Sequence, residues 1–172
     1  AEAQPRLREF NSQYLATTAW AFAKTGVLTT EFIEAIAIEA QPRLGEFKPQ
    51  ELATTAWAVA KANVPATDFL QAIAAEARPR LGEFNSQYLA NAAWAFAKAG
   101  VPATELFEAI AVETQPRLDK FTPHALATSA WAFAKAGVPA TGLFEAIAVE
   151  TQPRLGAFKS QNMASTAWAF AK

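Results

Sequence analysis

The stretch WAFAK at Trp20–Lys24 decides the fold, because it comes back. It recurs at Trp94–Lys98, Trp131–Lys135 and Trp168–Lys172, and once as WAVAK at Trp57–Lys61. All five tryptophans of the chain lie in these copies, each 37 residues after the last. A fixed period of that length marks a repeat array, in which each unit is one supersecondary element that cannot bury its apolar face alone. The period divides the chain into Arg8–Leu44, Gly45–Leu81, Gly82–Leu118 and Asp119–Leu155. Ala1–Leu7 reads as the tail of a preceding unit and Gly156–Lys172 as the first half of another. This predicts an all-α fold, a right-handed α-solenoid of about four and a half stacked helix-turn-helix units.

Punctuation on either side of the motif predicts two helices per unit. The first starts after Asn11, a good N-cap, with Ser12, Pro49, Ser86, Pro123 or Ser160 at its first position, where proline's missing N–H costs nothing. Phe10/Leu15, Phe47/Leu52, Phe84/Leu89, Phe121/Leu126 and Phe158/Met163 repeat a hydrophobic staple across that start. Lys48 and Lys159 stand where a capping side chain is wanted and cannot act as one. Gly26, Asn63, Gly100 and Gly137 end the helix in the left-handed conformation. A second helix follows Pro65, Pro102 and Pro139, with Thr30, Thr67, Thr104 and Thr141 expected as its caps. In the third unit Leu106, Phe107, Ile110 and Ala111 form its apolar stripe. Pro42, Pro79, Pro116 and Pro153 then predict a bend or a break.

Neighbouring units differ in one place. The third and fourth are identical at 28 of 37 positions, and eight of the nine differences fall between Gly82 and Ala92. At about 100° per residue, Leu15, Ala19 and Phe22 share the face that meets the second helix. The opposite, concave face is expected to carry four rows. One is Tyr14, Glu51, Tyr88, Ala125 and Asn162; the next is Thr17, Thr54, Asn91, Thr128 and Ser165. An alanine row (Ala21, Ala58, Ala95, Ala132, Ala169) and a lysine row (Lys24, Lys61, Lys98, Lys135, Lys172) follow, with Gln13 and Trp20 along the edge. Variable polar side chains could meet bases, alanine could admit a strand and lysine could meet phosphate. Each row also has a structural reading. Lysine in a last turn complements the helix dipole, and a regular tryptophan row packs one unit on the next. Arg43, Arg80, Arg117 and Arg154 each follow a glutamate by four residues, which predicts ion pairs.

Composition narrows the chemistry. There is no cysteine, hence no disulfide, thiolate metal site or thiol nucleophile. A single histidine, His124, makes neither a triad nor a metal centre, and the acidic residues recur once per unit like scaffold. No glycine loop suits a phosphate, and no apolar run approaches a membrane span. These features predict a protein that is not an enzyme, takes no cofactor and does not cross a membrane. The net charge of −1 disfavours avid nucleic-acid binding unless the basic residues are segregated onto one face.

The L-A-x-x-A-W-A-x-A-K core at Leu15–Lys24, Leu52–Lys61, Leu89–Lys98, Leu126–Lys135 and Met163–Lys172 resembles the octotricopeptide and heptatricopeptide repeats over the whole chain. The resemblance implies single-stranded RNA bound along the inner face, an organellar location and a role in transcript stability, processing or translation. On that likeness Tyr14, Thr17, Glu51, Thr54, Tyr88, Asn91, Ala125, Thr128, Asn162 and Ser165 are candidates for base contacts. The alternative is a scaffold holding a peptide or helix in the same groove. Neither end carries a polar capping unit, so a slice of a longer array that self-associates through its open ends is expected.

Overall fold

A computed structural model describes residues 4–26 and 30–172, so Ala1–Ala3 of the expected preceding tail and Val27–Thr29 of the first turn lie outside the described residues. The described residues are helical throughout, without strands, and form a helical-repeat solenoid. The first helix of each unit is α1 (Ser12–Thr25), α3 (Pro49–Lys61), α5 (Ser86–Ala99), α7 (Pro123–Ala136) and α9 (Ser160–Phe170). The second is α2 (Thr30–Ala40), α4 (Thr67–Ala77), α6 (Thr104–Thr114) and α8 (Thr141–Thr151). Odd-numbered helices lie directly side by side in chain order. Each even-numbered helix packs behind, and from α4 onward it rests on the 3₁₀ segment that closes the unit before it. The odd layer is therefore the more closely packed one, which places it on the inside of the solenoid.

The core sits between the layers. Phe47, Phe84 and Phe121, with Leu52, Leu89 and Leu126, are fully buried at the start of each odd helix, as the staple pattern predicts. Ile36, Ile73, Ile110 and Ile147 meet them from the even layer. Phe107 and Phe133 pack edge to face at 5.1 Å. On α9 the counterparts are open: Met163 and Phe170 are exposed, where Leu126 and Phe133 are buried.

Caps follow the local chemistry. The side chains of Asn11, Asn85 and Thr122 accept from the N–H groups of Tyr14, Tyr88 and Ala125 at 2.8, 2.9 and 3.1 Å. Where Lys48 cannot cap, Glu51 reaches back and accepts from the Lys48 N–H at 2.9 Å. Gly26, Gly100 and Gly137 take φ of 71°, 68° and 67°, and Asn63 takes 54°. A Cβ built on Gly137 meets nothing within 4 Å, so only the backbone conformation opposes a side chain there. Gly137→Ala is therefore expected to cost about 1–2 kcal/mol, read as a lowered midpoint in urea.

One expectation is corrected. Thr67, Thr104 and Thr141 are the first helical residues, and the caps are Ala66, Ala103 and Ala140, whose side chains bond nothing. Their carbonyls accept from Leu70, Phe107 and Phe144 at 3.0 Å, so these starts rest on the backbone alone. At the prolines the α-helical geometry ends, without a loop before the next segment. Each even-numbered helix tightens directly into a 3₁₀ segment, Gln41–Glu46, Arg78–Glu83, Gln115–Lys120 or Gln152–Ala157. Proline stands in the first turn of each segment, where it forfeits no helical bond. The Glu–Arg pairs span this junction at 3.5, 2.9, 2.8 and 2.7 Å. Among the described residues no helix is long and apolar enough to cross a membrane.

Candidate nucleic-acid interface

The interior odd helices α3, α5 and α7 are covered behind by the even layer and on both flanks by their neighbours, which leaves one narrow open stripe on each. In α3 that stripe is Gln50, Thr54, Trp57 and Lys61, at i, i+4, i+7 and i+11. In α5 it is Gln87, Asn91, Trp94 and Lys98, and in α7 His124, Thr128, Trp131 and Lys135. Ala58, Ala95 and Ala132 are wholly buried, because small side chains on that flank let the next odd helix approach.

The expected rows therefore divide. Thr17, Thr54, Asn91, Thr128 and Ser165 lie on the open stripe, and Lys24, Lys61, Lys98, Lys135 and Lys172 are exposed at its end. In the row beside them, Glu51 is only 7% exposed and Ala125 only 1%, so neither lines the surface. Glu51 is turned into its own helix start and Ala125 is buried in the hydrophobic core. Tyr88 and Asn162 are half-buried on the flank, while Tyr14 is exposed. The alanine row is a packing row in α3, α5 and α7. In its place the centre of the stripe is held by the tryptophans and by Gln50, Gln87 and His124. The signal was available: these positions precede each lysine by four and eleven residues, the spacing of one helical face.

The tryptophans form a ladder. Ring centroids are 6.0 Å apart for Trp57 and Trp94, and 6.4 Å for Trp94 with Trp131 and for Trp131 with Trp168, with planes about 30° apart. The interior rings are half-buried, so the row both packs units together and leaves aromatic edges open. Gln87 Nε2 donates to Asn91 Oδ1 at 2.9 Å, a bond that uses neither the Asn91 amide N–H groups nor the Gln87 carbonyl. Between α7 and α9 a notch of about 180 Å³ is lined by Trp94, His124, Thr128, Trp131, Asn162 and Ser165.

Charge is segregated across the layers. The five lysines of the stripe form no ion pair among the described residues. Lys24 lies 4.6 Å from the Trp20 ring and Lys172 5.8 Å from the Trp168 ring. Glu51 is the one carboxylate on any odd helix, and it is buried. The arginine ladder is engaged elsewhere: Arg117 donates to the Phe84 carbonyl at 3.1 Å and Arg154 to the Phe121 carbonyl at 2.5 Å. Those guanidinium groups tie a unit to the one before it.

Curated proteins give no significant match to the chain. The family model described as RNA-editing substrate-binding complex 6 protein matches residues 3–172, nearly the whole length, and the chain belongs to that family.

Proposed function

We propose that the odd-helix face binds single-stranded RNA along the array, as part of RNA processing in an organelle, and that the chain binds its RNA without transforming it. The observation that carries the reading is the charge segregation. An unpaired lysine row runs beside an aromatic row, with no exposed carboxylate on the helices that bear them. Lysine suits phosphate as a mobile point charge, and aromatic edges suit unpaired bases. A base inserted between two tryptophans needs about 6.8 Å, twice the ~3.4 Å rise of a stacked strand. The ladder at 6.0–6.4 Å is tighter than that, so bases rest against the row and do not intercalate. The polar residues ahead of it, Gln87 with Asn91 and His124 with Thr128, are then the groups that differ from one unit to the next. A unit-by-unit arrangement of this kind agrees with the likeness to octotricopeptide and heptatricopeptide repeats.

The test is fluorescence anisotropy with a randomised single-stranded RNA pool at several salt concentrations. Five phosphate contacts predict a log–log salt slope of about −3.5. Absence of binding at low salt, or binding indifferent to salt, overturns the reading.

A further inference from the structure

The outward side of the even layer has its own pattern. Residues at i, i+3 and i+7 share that side, Glu105, Glu108 and Val112 on α6 and Gly142, Glu145 and Val149 on α8, and Gln115 and Gln152 follow at i+10 as the first residues of the 3₁₀ segments. Val112 and Val149 are 71% and 72% exposed. Burial does not account for them, and neither does helix propensity, because a β-branched side chain is a poorer helix former than alanine. Ala75 holds the same position in α4, so the fold itself is met by alanine. Each valine is preceded four residues earlier by an exposed glutamate, Glu108 or Glu145, for which the structure records no ion pair.

The seams between even helices also differ. Across α4 and α6, Arg78 and Glu105 form an ion pair that straps the outer surface. The same two positions across α6 and α8 are Gln115 and Gly142. A charged strap is thus replaced by an amide and a missing side chain, and the Gln115 amide makes only a 3.5 Å contact with the Gly142 carbonyl. The α6–α8 surface is left open, apolar at its middle and negative beside it.

We propose that this surface, Val112 and Val149 with Glu108 and Glu145, docks a basic amphipathic helix of a partner protein. A helix laid across α6 and α8 presents apolar residues along one face, which cover the two valines. Lysine or arginine beside those residues meets the two glutamates, and the same charge excludes RNA from this side.

The test uses the full chain and two labelled helical peptides, with leucine at every seventh position and flanked by lysine in one and by glutamate in the other. The lysine peptide is expected to bind and the glutamate peptide not to. Glu108→Lys with Glu145→Lys is expected to weaken binding by roughly tenfold or more, and Val112→Ser with Val149→Ser to weaken it comparably. Lys61→Ala, Lys98→Ala and Lys135→Ala together leave it unchanged, which separates this surface from the RNA face. Four results overturn the proposal: no binding of the lysine peptide, equal affinity for both peptides, indifference to the valine changes, or light scattering that shows a dimer dispersed by those changes. The last would assign the surface to a second copy of the chain.

Discussion

Alanine at Lys61, Lys98 and Lys135 together flattens the salt dependence of RNA binding by about 2 log units of affinity per log unit of salt. The figure follows from three phosphate contacts at about 0.7 each on a single strand. Near 0.1 M salt the same loss weakens affinity on the order of 100-fold, and alike for every RNA sequence, because phosphate carries no base information. All three lysines are exposed and form no ion pair among the described residues, so the fold survives their removal. Each also sits in the last turn of its helix, where a cation stabilises the dipole by about 0.3–1 kcal/mol. The two roles separate cleanly. If the lysines serve only the helix, thermal stability falls slightly while the salt slope of RNA binding stays where it was.

Phe121→Ala is expected to destabilise the array by about 3–5 kcal/mol. Phe121 is 1% exposed at the junction of two units, following the 3₁₀ segment Gln115–Lys120 and preceding α7. Its loss opens a cavity among side chains that belong to adjacent units. In a linear array stability is a sum of unit and interface contributions, so one weakened interface divides the molecule. Urea unfolding followed by circular dichroism should change from one transition to two, the units before the junction melting apart from those after it. A single transition with an unchanged midpoint would refute the assignment of Phe121 to that interface. The Arg154 contact does not offset the loss, because it is made to the Phe121 carbonyl and persists in alanine.

The elements were legible because the residues that set them act locally. Gly26, Gly100, Gly137 and Asn63 mark helix ends through their own backbone preference, and Asn11, Asn85 and Thr122 mark starts through one hydrogen bond each. The second-helix starts misled, since threonine is a good cap by type yet Ala66, Ala103 and Ala140 hold the cap position. The open stripe was harder to locate. A single helix's periodicity reveals the face turned to its partner helix, but not which flank a neighbouring unit covers. Glu51, Ala125 and the alanine row lie on such a flank, so their variability or constancy reflected packing and capping. The lysine row and the row from Thr17 to Ser165 fall near the middle of what remains open. Gln50, Gln87 and His124 continue the row of Gln13, expected at the edge of that face, and they lie on the open stripe.

The tryptophan ladder makes the molecule its own optical probe. Four of the five tryptophans, Trp57, Trp94, Trp131 and Trp168, belong to that one row of ring pairs, and Trp20 is the one other indole in the chain. Neighbouring rings in contact at 6.0–6.4 Å exchange excitation energy, so a quencher seated at one unit darkens several. Intrinsic fluorescence therefore reports on occupancy of the inner face and stays silent about a partner on the outer one, without a label on either.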